Sequence, residues 1–248
     1  HCTSSAASDV YKRQPMKDHE MQSIAFENNL SETAFVSIHE SPIYIRWFTP
    51  SIEVDLCGHA TLASARILFE HYPELAGEEI NFDSKSGTLK VTKNKDALCL
   101  NFPVDKPVLL DSDPLFEEIL GIEPLQLLKG KDDYLAIFEN QKQIEHIKPN
   151  FVLLSKLDSR GLVISAPGDQ VDFVSRCFYP EAGIEEDPVT GSAHTMLTPY
   201  WAKELGKNQL DANQLSKRGG KLNCTLADNR VFISGKSVIY FDGIISIV

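Results

Sequence analysis

Residues 55–60 read DLCGHA, and the apolar residues that follow them as far as Phe69 recur at helical spacing. Residues 187–193 read DPVTGSA and precede a second apolar helical pattern, which ends at Leu205. Each stretch gives an acidic residue, a tight turn around a glycine and then an apolar helix. This repetition predicts two similar halves, each with one long helix, and a site between them.

The remainder of each half reads mainly as strands separated by turn residues. Runs of β-branched and aromatic residues bounded by Gly, Pro, Ser or Asp favour strands. In the first half these runs cover residues 33–38, 43–48, 79–82, 88–92 and 98–102, and in the second half residues 134–138, 162–166, 172–178, 221–226, 231–233 and 238–247. Shorter helices are predicted over residues 18–28 and 114–120. Each half is therefore expected to be rich in strands around its long helix.

Prolines mark the boundary between the halves. Pro103, Pro107 and Pro114 lie close together, as is typical of a linker. We therefore expect one domain over residues 15–105 and a second over residues 106–248, with the last strand returning to the first domain.

Residues 1–14 read HCTSSAASDVYKRQ, unlike anything that follows. They resemble a translated sequencing adapter, so we set them aside as an assembly artefact. The alternative is a disordered natural N-terminus.

Composition narrows the classes of function. The 248 residues include 24 Lys and Arg against 35 Asp and Glu, a formal charge of −11, without the basic stripe that nucleic acid or an anionic membrane would require. No apolar run approaches the ~20 residues of a membrane-spanning helix. The five cysteines contain no CxxC pair, so their pattern predicts neither a disulfide framework nor a zinc site. We expect reduced thiols in a cytoplasmic protein.

The two predicted helix starts suit a small anion. Backbone N–H groups at a helix N-terminus attract carboxylates and phosphates, and Gly58 and Gly191 would allow a ligand to approach closely. Simple capping and tight packing is the alternative interpretation. The positive end of the helix should hold His59 neutral and able to exchange a proton near pH 7, whereas Asp187 should stay ionised and could orient a substrate.

Two further residues have open interpretations. Glu32 precedes an apolar strand, where burial could raise its pKa for general acid/base catalysis, but it could equally be a solvated turn residue. Cys57 at a helix start could be a thiolate with a lowered pKa, and buried packing is the alternative. Other catalytic patterns, such as GxSxG, HExxH, the Walker loop and GxGxxG, do not occur.

Six segments taken together resemble the PhzF family of phenazine-biosynthesis-like isomerases. They are ENNLSETAF at 27–35, RWFTP at 46–50, CGHATLA at 57–63, EDPVTGSAH at 186–194, PYW at 199–201 and QLSKRGG at 214–220. The resemblance implies an α/β (α+β) fold like that of diaminopimelate epimerase, with two pseudo-symmetric domains. In each domain a curled, mostly antiparallel sheet surrounds a central helix.

The resemblance also implies a function. It identifies Glu32 as the acid/base that moves a proton on a small carboxylic acid, supported by His59 and Asp187. The substrate carboxylate would be bound at the helix starts, at Gly58, Ala60, Gly191 and Ser192. The protein would be a cofactor-independent isomerase or epimerase and a homodimer. The alternatives are a non-catalytic protein that binds small carboxylates and, third, a hydrolase with Ser192 or Cys57 as nucleophile.

This chain departs from the family at two points. Cys57 occupies the first of the two thiol positions of related epimerases, but residues 187–189 supply no second cysteine, so a two-thiol racemase is not expected. Family members also begin with a strand and a Gly-Asn-Pro turn, which the chain lacks. We therefore expect part of the pocket floor to be missing and one sheet edge to be open.

Overall fold

Local capping residues set the ends of several helices in the structure, a computed structural model that describes residues 7–11, 16–38, 42–95 and 97–243. The first helix begins at Asp18, where Glu20 accepts a hydrogen bond from the Lys17 amide (2.7 Å), and it ends before Asn29, whose φ of 47° is left-handed. The helix at 114–120 starts with Asp113 as N-cap and Pro114 in its first turn. Both predicted helices are confirmed.

The helices are α1 (Asp18–Asn28), α2 (Gly58–His71), α3 (Pro73–Ala76), α4 (Pro114–Leu120), α5 (Gln141–His146), α6 (Phe151–Leu154) and α7 (Gly191–Leu205). The strands of the first half are β1 (Ala7–Tyr11), β2 (Thr33–Ser37), β3 (Ile43–Phe48), β4 (Glu53–Val54), β5 (Glu79–Asp83), β6 (Leu89–Asn94) and β7 (Ala97–Pro103). Those of the second half are β8 (Val108–Leu109), β9 (Gln126–Lys129), β10 (Asp133–Ile137), β11 (Gly161–Pro167), β12 (Phe173–Phe178), β13 (Gln209–Gln214), β14 (Gly220–Ala227) and β15 (Arg230–Gly235).

One mixed, mostly antiparallel sheet runs through both halves. Its order is β1-β2-β3-β5-β6-β7-β15-β14-β13-β12-β11-β10-β9-β8, and β4 pairs with β3 off this path. The halves join where β15 pairs antiparallel with β7, with Ile233 opposite Leu100. The strand that returns to the first half is therefore β15.

The sheet curls around α2 and α7, whose apolar side chains share one core with it. Outer helices cover the other face: α1 packs Met21 on Phe35 and Phe48, and α4 to α6 cover β10 to β12. Strand β11 consequently has both faces buried, apart from its exposed last residue Pro167. The arrangement is the predicted α/β fold, in which a curled sheet surrounds two central helices.

Pro199 lies inside α7 without interrupting it. A proline has no N–H to donate, so the carbonyl of Thr195, four residues earlier, lacks its helical partner. The backbone N–H of Asp105 donates to this carbonyl at 3.2 Å. The segment between the halves thus completes the hydrogen bonding of the central helix. None of the helices in the described part of the chain is long and apolar enough to span a membrane.

Two predictions about the chain ends need correction. Residues 7–11, which we set aside with the rest of 1–14, form β1 and pair in parallel with β2, Ala7 opposite Thr33. The place beside β2 that we expected to be open is therefore occupied. The strand predicted over 238–247 is wrong for residues 238–243, which form no strand, and residues 244–247 lie outside the described residues.

Candidate active site

The starts of α2 and α7 meet at two glycines. A Cβ added to Gly58 would lie 3.2 Å from Cα of Gly191, and one added to Gly191 would lie 3.4 Å from Cα of Gly58. The preceding residues, Cys57 and Thr190, are extended and do not cap their helices through their side chains. The positive ends of two helices are thereby brought together, which favours an anion between or beside them.

Glu32 reaches the start of α2 from the residue before β2. Its Oε2 lies 3.0 Å from Nε2 of His59, and both side chains are almost fully buried. Ser31 Oγ lies 3.3 Å from the same nitrogen, and Cys57 Sγ lies 3.6 Å from Nδ1 of the same ring. A carboxylate, an imidazole and a thiol therefore share one buried cluster next to the glycine contact.

The protonation states in this cluster differ from those we predicted. Burial alone would raise the pKa of Glu32, but the charge of His59 and its hydrogen bond lower it overall. Burial disfavours a charged His59, yet Cys57 and Glu32 raise the pKa of His59 well above its usual value. The prediction of a neutral His59 is wrong, because the two side chains form an ion pair. Of the two interpretations left open for Glu32, the solvated turn residue is excluded by its burial, and the expected rise in its pKa is reversed by His59.

Cys57 behaves as a buried thiol. Burial, followed by the charge of Glu32, raises the pKa of Cys57 to about 12. The interpretation of Cys57 as a thiolate with lowered pKa is therefore wrong, since desolvation outweighs the helix start. The alternative of buried packing agrees with its 5% exposure.

Asp187 is held at the start of α7 by a closed set of hydrogen bonds. Its Oδ2 accepts from the hydroxyl of Thr190, and its backbone carbonyl accepts from Nε2 of Gln214 at 2.7 Å. The Gln214 amide also donates to Oγ1 of Thr190 (3.0 Å) and accepts from the Thr190 N–H (2.8 Å). Oδ1 of Asp187 is buried without a hydrogen-bond partner. One carboxylate oxygen is thus fixed while the other remains available.

Burial and the nearby charge of Glu32 raise the pKa of Asp187 to about 6. We expected this carboxyl to stay ionised at a helix N-terminus; its pKa is raised instead of lowered, but at pH 7 the group is still mostly ionised. Desolvation and a second carboxylate outweigh His59, Thr190 and Arg218, which act in the opposite direction. Asp187 therefore titrates close to neutral pH.

The other predicted site residues lie around these two groups. Gly58 and Gly191 form the contact itself, and Ala60 is fully buried in the first turn of α2. Ser192, in the first turn of α7, is half-buried, and its Oγ accepts a hydrogen bond from Nη2 of Arg160 at 3.3 Å. The fold therefore brings Glu32, Cys57, His59 and Asp187 together around the glycine contact, and it places Ala60 and Ser192 in the first turns of the two helices.

Sequence reasoning missed three residues at this site: Thr190, Gln214 and Arg160. The guanidinium of Arg160 is held by Asp133, with Nε 2.9 Å from Oδ1, and so stands beside Ser192. Gln214 lies in the family segment at 214–220 and Thr190 in the turn before α7, but neither was predicted to have a role of its own. Arg160 and Gln214 contact residues at least 24 positions away in the sequence, and Thr190 holds Asp187 through its side-chain hydroxyl in a turn. The spacing of residues along the chain therefore does not indicate these contacts.

A cavity of about 40 Å³ opens beside the glycine contact and is lined by Gly58, His59, Val189, Gly191 and Leu222 among others. This volume holds water or a small group, so a ring-sized acid requires its walls to move apart. In the described part of the chain, Glu32, Cys57 and His59 could together bind a metal ion, because their ligand atoms all lie within 4.8 Å of one another.

Comparison with known proteins places the chain among phenazine biosynthesis-like proteins. The PhzC-PhzF family model, described as phenazine biosynthesis-like protein, matches residues 6–243. An uncharacterized isomerase of Pseudomonas aeruginosa is 47% identical over 228 residues, which is 92% of this chain and 87% of that protein.

Solved structures agree with the fold. A putative phenazine biosynthesis PhzC/PhzF protein from Clostridium difficile superposes with a TM-score of 0.90 at 41% identity, covering 98% of this chain and 93% of that one. A probable proline racemase from Agrobacterium radiobacter, solved with bound carbonate, superposes with a TM-score of 0.64 at 10% identity, covering 95% of this chain and 88% of that one. The second likeness shows a shared fold.

Proposed function

The chain belongs to the phenazine biosynthesis-like (PhzC-PhzF) family, many of whose relatives are named isomerases, and we propose that it moves a proton on a small carboxylic acid by general acid/base catalysis. Glu32 is the acid/base. His59 and Asp187 support it, and the two helix starts bind the substrate carboxylate. The proposed reaction needs no cofactor.

The observation that carries this proposal is the Glu32–His59 ion pair, 3.0 Å long, beside the contact of Gly58 with Gly191. A general base must be ionised, close to the substrate and shielded from water. Glu32 meets the first requirement because His59 lowers its pKa, and it meets the third because it is only 8% exposed. The requirement of closeness to the substrate is met in the proposed complex, because a carboxylate bound at the helix starts would lie next to Glu32.

The proposed transfer proceeds in two steps. The carboxylate of Glu32 takes a proton from a carbon of the substrate, so a C–H bond breaks and an O–H bond forms. Negative charge then spreads through the substrate towards its carboxylate, where the helix N-termini and the protonated His59 stabilise it. Glu32 returns the proton to another carbon, or to the other face of the same carbon, and is ionised again.

Asp187 supports the substrate from the other helix start. Its Oδ1 has no hydrogen-bond partner and can accept a hydroxyl or amine of the ligand. Because its pKa is about 6, a substrate that binds there as a hydrogen-bond donor meets a carboxylate that is mostly ionised at pH 7.

Incubation with small aromatic and cyclohexadienyl carboxylic acids in D₂O tests the proposal. ¹H NMR and mass spectrometry follow two readouts, deuterium at carbon and conversion to a positional isomer or epimer. The second readout detects a proton that Glu32 returns without exchange with solvent. We expect at least one acid to show one of these changes.

The non-catalytic alternative gives a different result. If acids raise the thermal unfolding midpoint but none gains deuterium or isomerises, the chain is a carboxylate-binding protein on an isomerase fold. That result contradicts the proposed catalysis.

A further inference from the structure

Cys57 is not required by the proposed proton transfer. It precedes α2 at a position where Ser, Thr, Asp or Asn would cap the helix, yet its side chain makes no capping hydrogen bond. At the matching position of α7 the hydroxyl of Thr190 holds Asp187. The thiol of Cys57 instead faces the ring of His59, with Sγ 3.6 Å from Nδ1 and 3.9 Å from Nε2.

Three kinds of donor therefore converge at one point. The carboxylate of Glu32, the thiol of Cys57 and the imidazole of His59 place their ligand atoms within 4.8 Å of one another. Oε2 of Glu32 lies 3.0 Å from Nε2 of His59, and none of the three residues is more than 8% exposed.

These separations are close to those around one small tetrahedral ion. Two ligands that bind Zn²⁺ at about 2.0–2.3 Å in a tetrahedral arrangement lie roughly 3.3–3.7 Å apart. Nε2 of His59, the nitrogen that would bind the ion, lies 3.0 Å from Oε2 of Glu32 and 3.9 Å from Sγ of Cys57, so each separation differs from that range by a few tenths of an ångström. Thiolate, imidazole and carboxylate together are ligands that favour Zn²⁺ over Mg²⁺ or Ca²⁺.

The charge in this region also favours a cation. Glu32 contributes a carboxylate to the cluster itself, and a second carboxyl group, that of Asp187, precedes α7, whose start meets that of α2 at the glycine contact. When a metal binds, the thiol and the imidazolium each release a proton to solvent, and Zn²⁺ replaces those two protons. The two carboxyl groups offset the positive ends of α2 and α7, which by themselves favour an anion.

We propose that Glu32, Cys57 and His59 form an inhibitory zinc site. One Zn²⁺ binds the carboxylate, the thiolate and the imidazole and leaves a fourth position for water or a ligand carboxylate. The ion then occupies the groups that move the proton. Binding is independent of the proposed function, whereas inhibition rests on it.

The test titrates the full chain with Co²⁺ under anaerobic conditions, because Co²⁺ enters zinc sites and absorbs light. We expect a near-ultraviolet band of thiolate-to-cobalt charge transfer, visible bands of tetrahedral Co²⁺, and loss of both when Zn²⁺ is added. Cys57→Ser should abolish the ultraviolet band. His59→Gln and Glu32→Gln should weaken Co²⁺ binding by at least about 100-fold, the upper end of the loss caused by removing a partner of a metal ligand.

Matched controls identify the thiol. The double variant Cys2→Ser/Cys99→Ser removes the N-terminal cysteine and a half-buried one, and it should keep the wild-type spectrum. Far-ultraviolet circular dichroism checks that each variant is folded. Absence of the charge-transfer band in the wild type, its persistence in Cys57→Ser, or unchanged affinity in His59→Gln would each overturn the proposal.

Inhibition is measured separately, as the effect of Zn²⁺ and then of a chelator on deuterium exchange by the wild type. We expect loss of exchange and its recovery. If the chain exchanges no proton on any acid, the cobalt spectrum still decides whether the metal site exists. If exchange occurs and a metal bound through Cys57 leaves it unaffected, the inhibitory role is wrong, and exchange by Glu32→Gln then decides separately whether Glu32 moves the proton.

Discussion

At the start of α2 and at the start of α7 an extended residue precedes a glycine, and the two glycines touch. Around Gly58 the side chains are charged, since Glu32 and His59 form an ion pair that lowers the pKa of Glu32 and raises that of His59. Around Gly191 the side chains are fixed, since Thr190 and Gln214 hold Asp187 through hydrogen bonds. One backbone arrangement therefore carries a buried ion pair on one side, where we propose the proton transfer, and a hydrogen-bonded holding side around Asp187 on the other.

The largest effect is expected from Glu32→Gln, which keeps the size of the side chain and removes its ability to take a proton. General acid/base catalysis contributes about 10²–10⁴-fold, so proton transfer should fall by that factor. Deuterium incorporation into a turned-over acid measures it. Glu27→Gln, an exposed change near the end of α1, is the control and should have no effect. Wild-type exchange in Glu32→Gln would place the proton transfer elsewhere.

The contributions of two buried histidines, His194 and His59, to the stability of the fold should depend on pH in opposite directions. His194 in α7 has its pKa lowered to about 4 by burial, so it folds as a neutral ring. The unfolded chain binds a proton to this residue below about pH 6.5, and stability is therefore lost as the pH falls from 6.5 to 4. His59, with its raised pKa, stabilises the fold below about pH 6.5, and that contribution is lost as the pH rises through its folded pKa.

Urea unfolding at several pH values measures this difference. Between pH 6.5 and 4 the free energy of unfolding of the wild type should fall by about 3 kcal/mol more than that of His194→Gln. His19→Gln, on the exposed face of α1, should follow the wild type. Parallel profiles for the wild type and His194→Gln would show that His194 is not buried as a neutral ring.

Removal of Gln214 tests the holding side. Gln214→Ala leaves the N–H of Thr190 and the carbonyl of Asp187 without their partners in a buried turn. We expect a loss of about 2 kcal/mol in the free energy of unfolding at pH 7. Gln209→Ala, exposed on the same strand β13, should change little. Equal losses in the two variants would mean that the amide of Gln214 does not hold this turn.

The smallest effects are expected at the glycine contact. Neither Gly58 nor Gly191 has a positive φ, so space alone decides whether alanine fits. A Cβ at residue 58 meets backbone at 3.2 Å and two side chains at 3.5 and 3.6 Å, whereas one at residue 191 meets backbone at 3.4 Å. Gly58→Ala should lose about 1 kcal/mol, and Gly191→Ala should be close to neutral because alanine favours the helix. The reverse order in urea unfolding would contradict this contact geometry.

The sequence predicted elements whose signals are local. Helices α1, α4 and α7 begin and end where their caps, prolines and apolar periods indicate. Strand β13 was missed because residues 209–214 read QLDANQ, too polar to suggest a buried strand. Residues 238–243 were predicted as a strand from their apolar pattern, but they pair with no strand. Whether each segment forms a strand depends on the availability of a neighbouring strand in the folded sheet, and the residues of the segment itself do not indicate this.

Several residues of the candidate site could be named from the sequence, but their charges could not be predicted from it. The resemblance to a family brought together Glu32, His59 and Asp187, which lie up to 155 positions apart. The protonation states depend on partners that only the fold supplies. Glu32 reaches His59 across 27 positions, and Gln214 reaches Asp187 across 27. An argument from the helix start alone therefore gave the wrong charge for His59 and did not indicate the raised pKa of Asp187.

The most direct test of the ion pair is a ¹⁵N NMR titration of the His59 ring in the wild type and in Glu32→Gln. We predict that both ring nitrogens of wild-type His59 carry protons at pH 7.5 and that its pKa falls in Glu32→Gln, where the carboxylate is absent. A His59 ring that is neutral at pH 7.5 in the wild type, or that titrates identically in both proteins, would contradict the account of a charged pair at the start of α2.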